Sequence, residues 1–144
     1  MANHCRIHSD SAIAALNAIV DRCDAGGAGD LILYTGAEPA YADDAAGTEV
    51  ATCALAATAY GGAAADGANH WADADLAATA TDADATGNGS PVAYFRLVSG
   101  GAAVVLQGTI GTSGCDLNLN TTTIATDSQV DITSLEVRVP YNQA

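Results

Sequence analysis

The hydrophobic residues near the start of the chain repeat with the spacing of a helix. Four apolar side chains recur at intervals of three and four residues, which places them on one face of an α-helix. They are Ile13, Leu16, Val20 and Cys23. Ser9 or Asp10 can cap the first turn, and the glycines within residues 26–29 favour an end to the helix. The pattern predicts one amphipathic helix over residues 9–24, packed on its own sheet or, alternatively, docked on a partner.

After these glycines the hydrophobic period shortens to that of a β-strand. The segment DLILY predicts a short strand at residues 30–34, and the Thr-rich alternation of residues 48–60 predicts a second one. Residues 61–69 are mostly Gly and Ala, so they have little to bury and are expected to form an exposed loop. Trp71 follows this loop, where a lone Trp is either a local anchor or an interface contact.

The strongest β pattern lies in the second half of the chain. Two β-rich runs, residues 92–99 and 102–111, flank the pair Gly100 and Gly101. Two such runs around a glycine turn are typical of a β-hairpin.

The first strand of this hairpin contains the single phenylalanine of the chain. Tyr94 or Phe95 is expected to anchor the β core, and Arg96 to lie on the strand face opposite Phe95, because side chains alternate along a strand. The other expected members of this core are Leu97, Leu106 and Leu117.

Two further runs, residues 116–120 and 129–140, complete the β pattern. In the second run the apolar residues change parity near Thr133 and Ser134, which predicts a bulge or a bend there. Short strands separated by turn signals are typical of a β-sandwich or a barrel.

The predicted fold is therefore mainly β: a β-sandwich or barrel-like domain with one N-terminal amphipathic α-helix. A chain of 144 residues is about one domain long, so we expect a single domain over residues 1–144, with the β domain at residues 30–140. The hydrophobic fraction is 49%, but much of it is alanine, with one Trp and five Tyr. Such side chains bury little apolar area, and a thin core of this kind commonly gains stability from oligomerisation.

The charge of the chain is strongly negative. Seventeen Asp and Glu residues face four arginines and no lysine, for a formal net charge of −13. Binding to nucleic acid or to an anionic membrane requires clustered Lys and Arg, so neither partner is expected. The first twenty residues contain no basic region followed by an apolar run, so no targeting segment and no membrane span are predicted.

The four cysteines are unevenly spaced and form no CxxC pair. They are Cys5, Cys23, Cys53 and Cys115. This spacing argues against a zinc ribbon or a thioredoxin-type site, and small buried thiols are expected. A disulfide is the alternative, for which four cysteines allow three pairings.

Two short runs imitate metal sites. His4, Cys5 and His8 lie close together, but their spacing fits no established ligand framework. Residues 82–87 copy the start of a calcium loop, but Ala93 occupies the position that requires a bidentate Glu. We therefore expect an acidic turn at residues 82–87 and no bound metal.

Paired carboxylates are the remaining candidates for catalysis. They are Asp73, Asp75, Asp82 and Asp84. Carboxylates in loops are most often solvated surface charge, and the sequence contains no nucleophile elbow, phosphate loop or HExxH motif beside them. We expect no catalytic residue, no cofactor and no enzymatic activity.

Five segments of the chain resemble those of small virion proteins of tailed phages. They are LILYTGAEP (31–39), GTEVA (47–51), AYFRL (93–97), QGTIGTSGCDLNL (107–119) and ITSLEVRVP (132–140). In that sequence type a short strand ends in a Tyr-x-Gly-x-x-Pro turn, and an aromatic-Arg-Leu strand leads to a Gly-Thr-x-Gly hairpin region. The resemblance covers residues 31–140 and implies a structural role in the particle.

Resemblance to head decoration (cement) proteins implies a chain made in the host cytoplasm that binds the major capsid protein on the outer surface of the head. It also implies self-association, most often as a homotrimer. A tail, baseplate or fibre component is the alternative. A carbohydrate-binding β-sandwich, with Trp71 and Tyr60 as a stacking platform, is a third class.

Contacts between copies or with the shell should use the less charged surfaces, because like charges repel. Trp71 is one candidate contact, and the Thr-rich edge of residues 118–126 is another. A further candidate interface is the apolar helix face. Its residues are Ile13, Leu16 and Val20.

Overall fold

The structure is a computed structural model that describes residues 7–141. It is mainly β, with a curled sheet in the form of a half-barrel and one N-terminal helix, as the hydrophobic pattern predicts. The helical elements are α1 (Ser9–Val20) and a 3₁₀ helix (Asp21–Asp24) that continues it. The strands are β1 (Asp30–Thr35), β2 (Glu49–Ala54), β3 (Ala64–Asp66), β4 (Trp71–Ala74), β5 (Ala80–Ala85), β6 (Val92–Val98), β7 (Val104–Gly111), β8 (Leu117–Asn118), β9 (Ser128–Ile132) and β10 (Val137–Pro140).

Seven strands form the half-barrel in the order β8-β7-β6-β1-β2-β5-β9. The central strand β1 pairs antiparallel with β2 on one side and β6 on the other, so that Leu31 lies opposite both Cys53 and Leu97. The last pair, β7 with β8, is parallel. The two edges of the sheet are therefore β8 and β9, and the half-barrel is open between them.

A smaller sheet, in the order β10-β4-β3, lies under the helix. Ala72 and Ala74 of β4 are buried, and their methyl groups allow α1 to pack closely on this sheet. The buried residues of α1 are Ala12, Leu16 and Val20. They join the inward side chains of the half-barrel in one continuous hydrophobic cluster.

The two faces of β6 are both buried, but in different surroundings. Phe95 and Leu97 belong to the hydrophobic cluster, as predicted, together with Leu117, while Leu106 packs against it half-buried. Arg96 lies on the opposite face, also as predicted, but only 4% of it is exposed. The loop between β1 and β2 covers this opposite face.

The predicted helix is confirmed, with a different cap. The Nδ1 atom of His8 accepts a hydrogen bond of 3.2 Å from the backbone N–H of Asp10, so His8 is the N-cap, where Ser9 or Asp10 was expected. The predicted bend near Thr133 is also present. There the chain leaves β9 in the half-barrel and enters β10 in the small sheet.

Two segments predicted to be irregular are strands in part, because pairing overrides composition. Within residues 61–69, the expected loop, β3 pairs with β4, and the Asp66 carboxylate accepts the backbone N–H groups of Ala68 and Asn69 in the hairpin turn. The expected acidic turn at residues 82–87 begins inside β5, where Asp82 lies opposite Val130 of β9.

The β6–β7 hairpin is confirmed, and its turn packs backbone to backbone on the chain before β1. The N–H of Gly101 donates to the carbonyl oxygen of Ala25 at 3.0 Å. A Cβ atom on Gly29 would overlap the Val98 carbonyl oxygen, and one on Gly100 would overlap the backbone of Gly27. Glycine is thus required on both sides of this contact.

Candidate functional site

The apolar face of α1 is not a surface of the chain. Leu16 and Val20 are buried against the small sheet and the half-barrel, and Ile13 is half-buried beside them. The prediction that this face is an interface is therefore wrong for Leu16 and Val20. Their hydrophobic spacing reflects packing against the chain's own sheets.

Trp71 lies half-buried on the outer face of the small sheet, opposite Pro140 of β10 and Asp66 of β3. Tyr60, the second ring of the suggested stacking platform, is only 4% exposed. It therefore cannot present a face to a sugar beside Trp71, and the two-ring platform is not formed.

The same outer face carries a cluster of charges. Arg138 donates to the Glu136 carboxylate, and Asp73 lies directly opposite Arg138 across the β4–β10 pair. Desolvation and the neighbouring Glu136 raise the pKa of Asp73, whereas hydrogen bonding from Arg138 lowers the pKa of Glu136. The guanidinium of Arg138 is thus paired with neighbouring carboxylates of the same chain.

The loop of residues 36–47, here called the strap, covers the outer face of the half-barrel. Its backbone carbonyl groups accept hydrogen bonds from side chains of the strands beneath. The donors are Arg96 to Asp43 O at 2.8 Å, Gln107 to Pro39 O at 2.8 Å and Tyr94 to Ala46 O at 2.5 Å. In the reverse direction, the hydroxyl of Tyr41 in the strap donates to the carbonyl oxygen of Val104 at 2.6 Å.

The ends of the strap are fixed by a close backbone approach. The N–H of Thr35 donates to Thr48 O at 2.9 Å, and Gly47 has a φ of +79°. A Cβ atom on Gly47 would overlap the Thr35 carbonyl oxygen. Below the strap, the rings of Tyr34 and Tyr94 stack with centroids 5.1 Å apart. The strap is therefore an Ω-loop anchored along its length.

An open groove lies beside β9 at the open side of the half-barrel. Residues 119–125 form one wall and residues 128–131 the other, around a volume of about 360 Å³. We call it the edge groove. It includes most of the Thr-rich segment, residues 118–126, which is one of the contact surfaces predicted from the sequence. No charged side chain occurs in residues 117–126.

A second cleft of about 370 Å³ lies next to the edge groove, between β8 and the connection from β9 to β10. Its lining includes the charged residues Asp116, Glu136 and Arg138. Asp116 accepts hydrogen bonds from the backbone N–H and the hydroxyl of Thr109, which hold its pKa below the ordinary value. These charged side chains already form hydrogen bonds within the chain. The cleft is therefore more polar than the edge groove and less available to a ligand.

The carboxylates expected as surface charge serve in part as structural acceptors. Asp82 accepts the backbone N–H of Thr52 at 2.7 Å, where β2 and β5 separate. Asp131 accepts the hydroxyl of Thr81 at 2.8 Å. Within residues 7–141, no group of three or more His, Cys, Asp or Glu side chains is arranged to hold a metal ion. His4 and Cys5 of the candidate metal cluster lie outside the described residues.

The three cysteines in the described range are free thiols. Burial raises the pKa of Cys23 to about 11 and that of Cys53 to about 12, so both remain protonated. Cys115, by contrast, is half-buried, which differs from the expectation that all four thiols are buried.

Neither helix in residues 7–141 has the length and the apolar run needed to cross a membrane. Comparison of the chain with models of protein families, with curated proteins and with solved structures gives no match.

Proposed function

We propose that this chain is a non-enzymatic structural protein of a tailed-phage particle. Its role is that of a decoration protein, which binds the outer surface of the head in many copies and stabilises the shell. The observation that carries the proposal is the edge groove: an open groove beside a sheet edge, with one uncharged wall, on a chain of net charge −13. Such a groove is the side on which an acidic protein can approach another protein surface without charge repulsion.

The distribution of apolar side chains supports the same proposal. The core contains many alanines, and the helix and the small sheet meet through Ala12, Ala72 and Ala74. Each alanine removes little apolar area from water, so burial against neighbours in an assembly would add to the stability of the fold. A protein repeated on a shell also gains avidity when each copy contacts more than one subunit.

The anchored strap supports a structural role as well. A long surface loop would ordinarily be mobile, and this one is fixed by three side chains of two strands, β6 and β7. A rigid outer face suits a protein that must keep one shape while attached to a lattice.

The test uses particles of the phage that encodes the chain, with and without its gene. Particles that lack the protein should contain DNA but lose it at a lower temperature or a lower salt concentration, and added purified protein should restore them. A cryo-EM map should place the protein on the outside of the head, as a trimer. Particles with normally stable heads that lack tails or fail to adsorb would contradict the proposal and favour a tail component.

A further inference from the structure

We propose that the edge groove binds an extended segment of a partner polypeptide, which adds to β9 as a further strand and places a Lys or Arg side chain beside Asp131. The proposal rests on the proposed function, from which it takes the partner to be the coat protein of the shell. The binding mode itself follows from the sheet edge, the walls of the groove and the charge at its rim.

The sheet edge supplies the main-chain hydrogen bonds. Strand β9 pairs only with β5, so its other side has no strand partner within residues 7–141. The backbone groups on the free side of an edge strand bind an added strand through a ladder of main-chain hydrogen bonds.

Ser128 at the start of β9 donates to the Ala125 carbonyl oxygen of the facing wall, but beyond this point the wall is held elsewhere and does not fill the edge. The carbonyl oxygen of Thr122 accepts the N–H of Val92, and the N–H of Leu119 donates to Gly111. These bonds tie the wall to β6 and β7 and leave a groove of about 360 Å³ between it and β9. That volume falls within the range of about 300–1,000 Å³ typical of clefts that hold ligands.

The lining combines the two kinds of side chain that an added strand requires. Leu119, Ile124 and Val130 provide apolar contacts for alternate side chains of the incoming segment. Asn120 and Gln129 provide amide groups for polar ones. Alternating contacts of this type give sequence preference in β-augmentation.

The negative charge at the rim of the groove favours a segment that carries a cationic side chain. Among residues 7–141, Asp131 is the only charged residue that lines the groove, and it is exposed. Hydrogen bonds from Gln129 and Thr81 lower its pKa, so it is ionised at neutral pH. A cationic side chain on the segment would meet this carboxylate.

A second copy of this chain does not offer such a segment in its described part. The chain has no lysine. Arg22 lies in the 3₁₀ helix, Arg96 is buried under the strap, and Arg138 is bonded to Glu136. A partner of different sequence therefore fits the groove better than the described part of a copy does.

The first experiment measures hydrogen exchange of the full chain, free and bound to particles that lack it. Slower exchange in residues 119–132, with α1 unchanged, is the expected result. Asp131→Lys should weaken binding to the particles about fivefold or more. Asp84→Lys is the matched control, because it makes the same charge change at an exposed site of the neighbouring β5 outside the groove. Asp131→Asn, which keeps an acceptor for Thr81, should weaken binding less and guards against misfolding.

Binding without any change in exchange at residues 119–132, or equal losses for the two Lys variants, would overturn the proposal. So would protection of these residues that grows with protein concentration in the absence of particles, because the occupant would then be a second copy.

A second experiment is independent of the particles. The labelled chain is titrated with the peptide acetyl-Thr-Val-Lys-Val-Thr-Val-amide and with its Glu counterpart, and NMR follows the amides of β9. The Lys peptide should shift these amides and the Glu peptide should not. Binding of the Lys peptide without binding to the particles would contradict the proposed function but would still support peptide binding in the edge groove. Binding to the particles without binding of either peptide would contradict the proposed binding mode of the edge groove but not the proposed function.

Discussion

The guanidinium of Arg96 donates a 2.8 Å hydrogen bond to the backbone carbonyl oxygen of Asp43, 53 residues away in the chain. Within the described chain, Arg96 has no carboxylate at salt-bridge distance, and its second contact is the side-chain oxygen of Gln107 at 3.2 Å. A buried cation is thus satisfied by neutral acceptors, one of which belongs to the strap.

Replacement of Arg96 by Met should loosen the strap. The substitution keeps much of the aliphatic volume but leaves the acceptors at Asp43 and Gln107 unpaired, at a cost of about 1–3 kcal/mol in the free energy of unfolding. Urea denaturation measures this cost, and faster hydrogen exchange in the strap should accompany it. Arg22→Met, at an exposed position, is the control and should change stability by less than about 0.5 kcal/mol. Equal effects of the two variants would show that the strap does not depend on Arg96.

Phe95→Ala should be among the most damaging single substitutions. The ring is buried in the hydrophobic cluster of the half-barrel, and its loss should cost about 3–5 kcal/mol because the surrounding strands cannot close the cavity. A thermal melt measures the loss. A melting temperature close to that of the wild type would mean that the ring is not in the core.

Gly47→Ala should destabilise the closure of the strap. The added methyl group would meet the Thr35 carbonyl oxygen, and a φ of +79° is itself unfavourable for alanine, so we expect a loss of about 1–3 kcal/mol. Gly62→Ala is the matched control, since a Cβ there has nothing within 4 Å. Denaturant titration of both variants separates the local strain from a general effect of removing a glycine.

The Asp116 carboxylate should stabilise the fold at neutral pH, and this stabilisation should be lost in acid. Its folded pKa lies below the unfolded one, so the carboxylate stabilises the fold above about pH 4, and this contribution is lost as the pH falls through the folded value. Asp116→Asn should therefore cost about 1 kcal/mol at pH 7, and the difference from the wild type should shrink as the solution is acidified. Melts of both proteins over this range measure it, and a constant difference would contradict the prediction.

The three described cysteines should react at different rates. Burial keeps the thiols of Cys23 and Cys53 protonated, and the thiolate is the nucleophile, so iodoacetamide at mildly alkaline pH should modify Cys115 first. Peptide mapping by mass spectrometry gives the order. Unfolding in urea should make all three reactive, and equal rates in the folded protein would contradict their different burial.

The helix and the β6–β7 hairpin were predictable because their side chains carry the pattern that pairing and packing require. Leu16 and Val20 recur with helical spacing, and Phe95 and Leu97 alternate with Tyr94 and Arg96. In the helix, burial follows the sequence period directly, whereas in β6 the period separates the side chains of the hydrophobic cluster from the buried ones under the strap.

Strands β3 and β5 were not predictable by the same means. Residues 64–66 (AAD) and 80–85 (ATDADA) have low β propensity and no apolar alternation, and they are strands because β4 and β9 pair with them. The only local signal was Asp66 before Gly67, a residue type that favours the hairpin turn.

Of the candidate surfaces, sequence could identify the uncharged stretch of the edge groove but not its shape. The absence of charge from residues 117–126 is visible in the sequence. The groove itself arises because Thr122 bonds to Val92 and leaves β9 uncovered, and nothing in the side-chain pattern specifies that pairing. A loop through Pro39, Asp43 and Asp44 was predictable from the sequence, but its anchoring as the strap was not, since the anchors are backbone carbonyl groups.

The position of β1 at the centre of the half-barrel sets the order in which the chain can acquire its structure. During synthesis β1 and β2 can form a hairpin early, but the other side of β1 stays unpaired until β6 has left the ribosome, some sixty residues later. The half-barrel cannot form from contacts between neighbouring strands in the sequence alone, since two separately formed hairpins must pair along β1 and β6. Contacts this distant in sequence are typical of domains that fold in about milliseconds to seconds. For that interval the nascent chain presents Leu31 and Leu33 on an open strand, and this is when it is most exposed to association with the wrong partner.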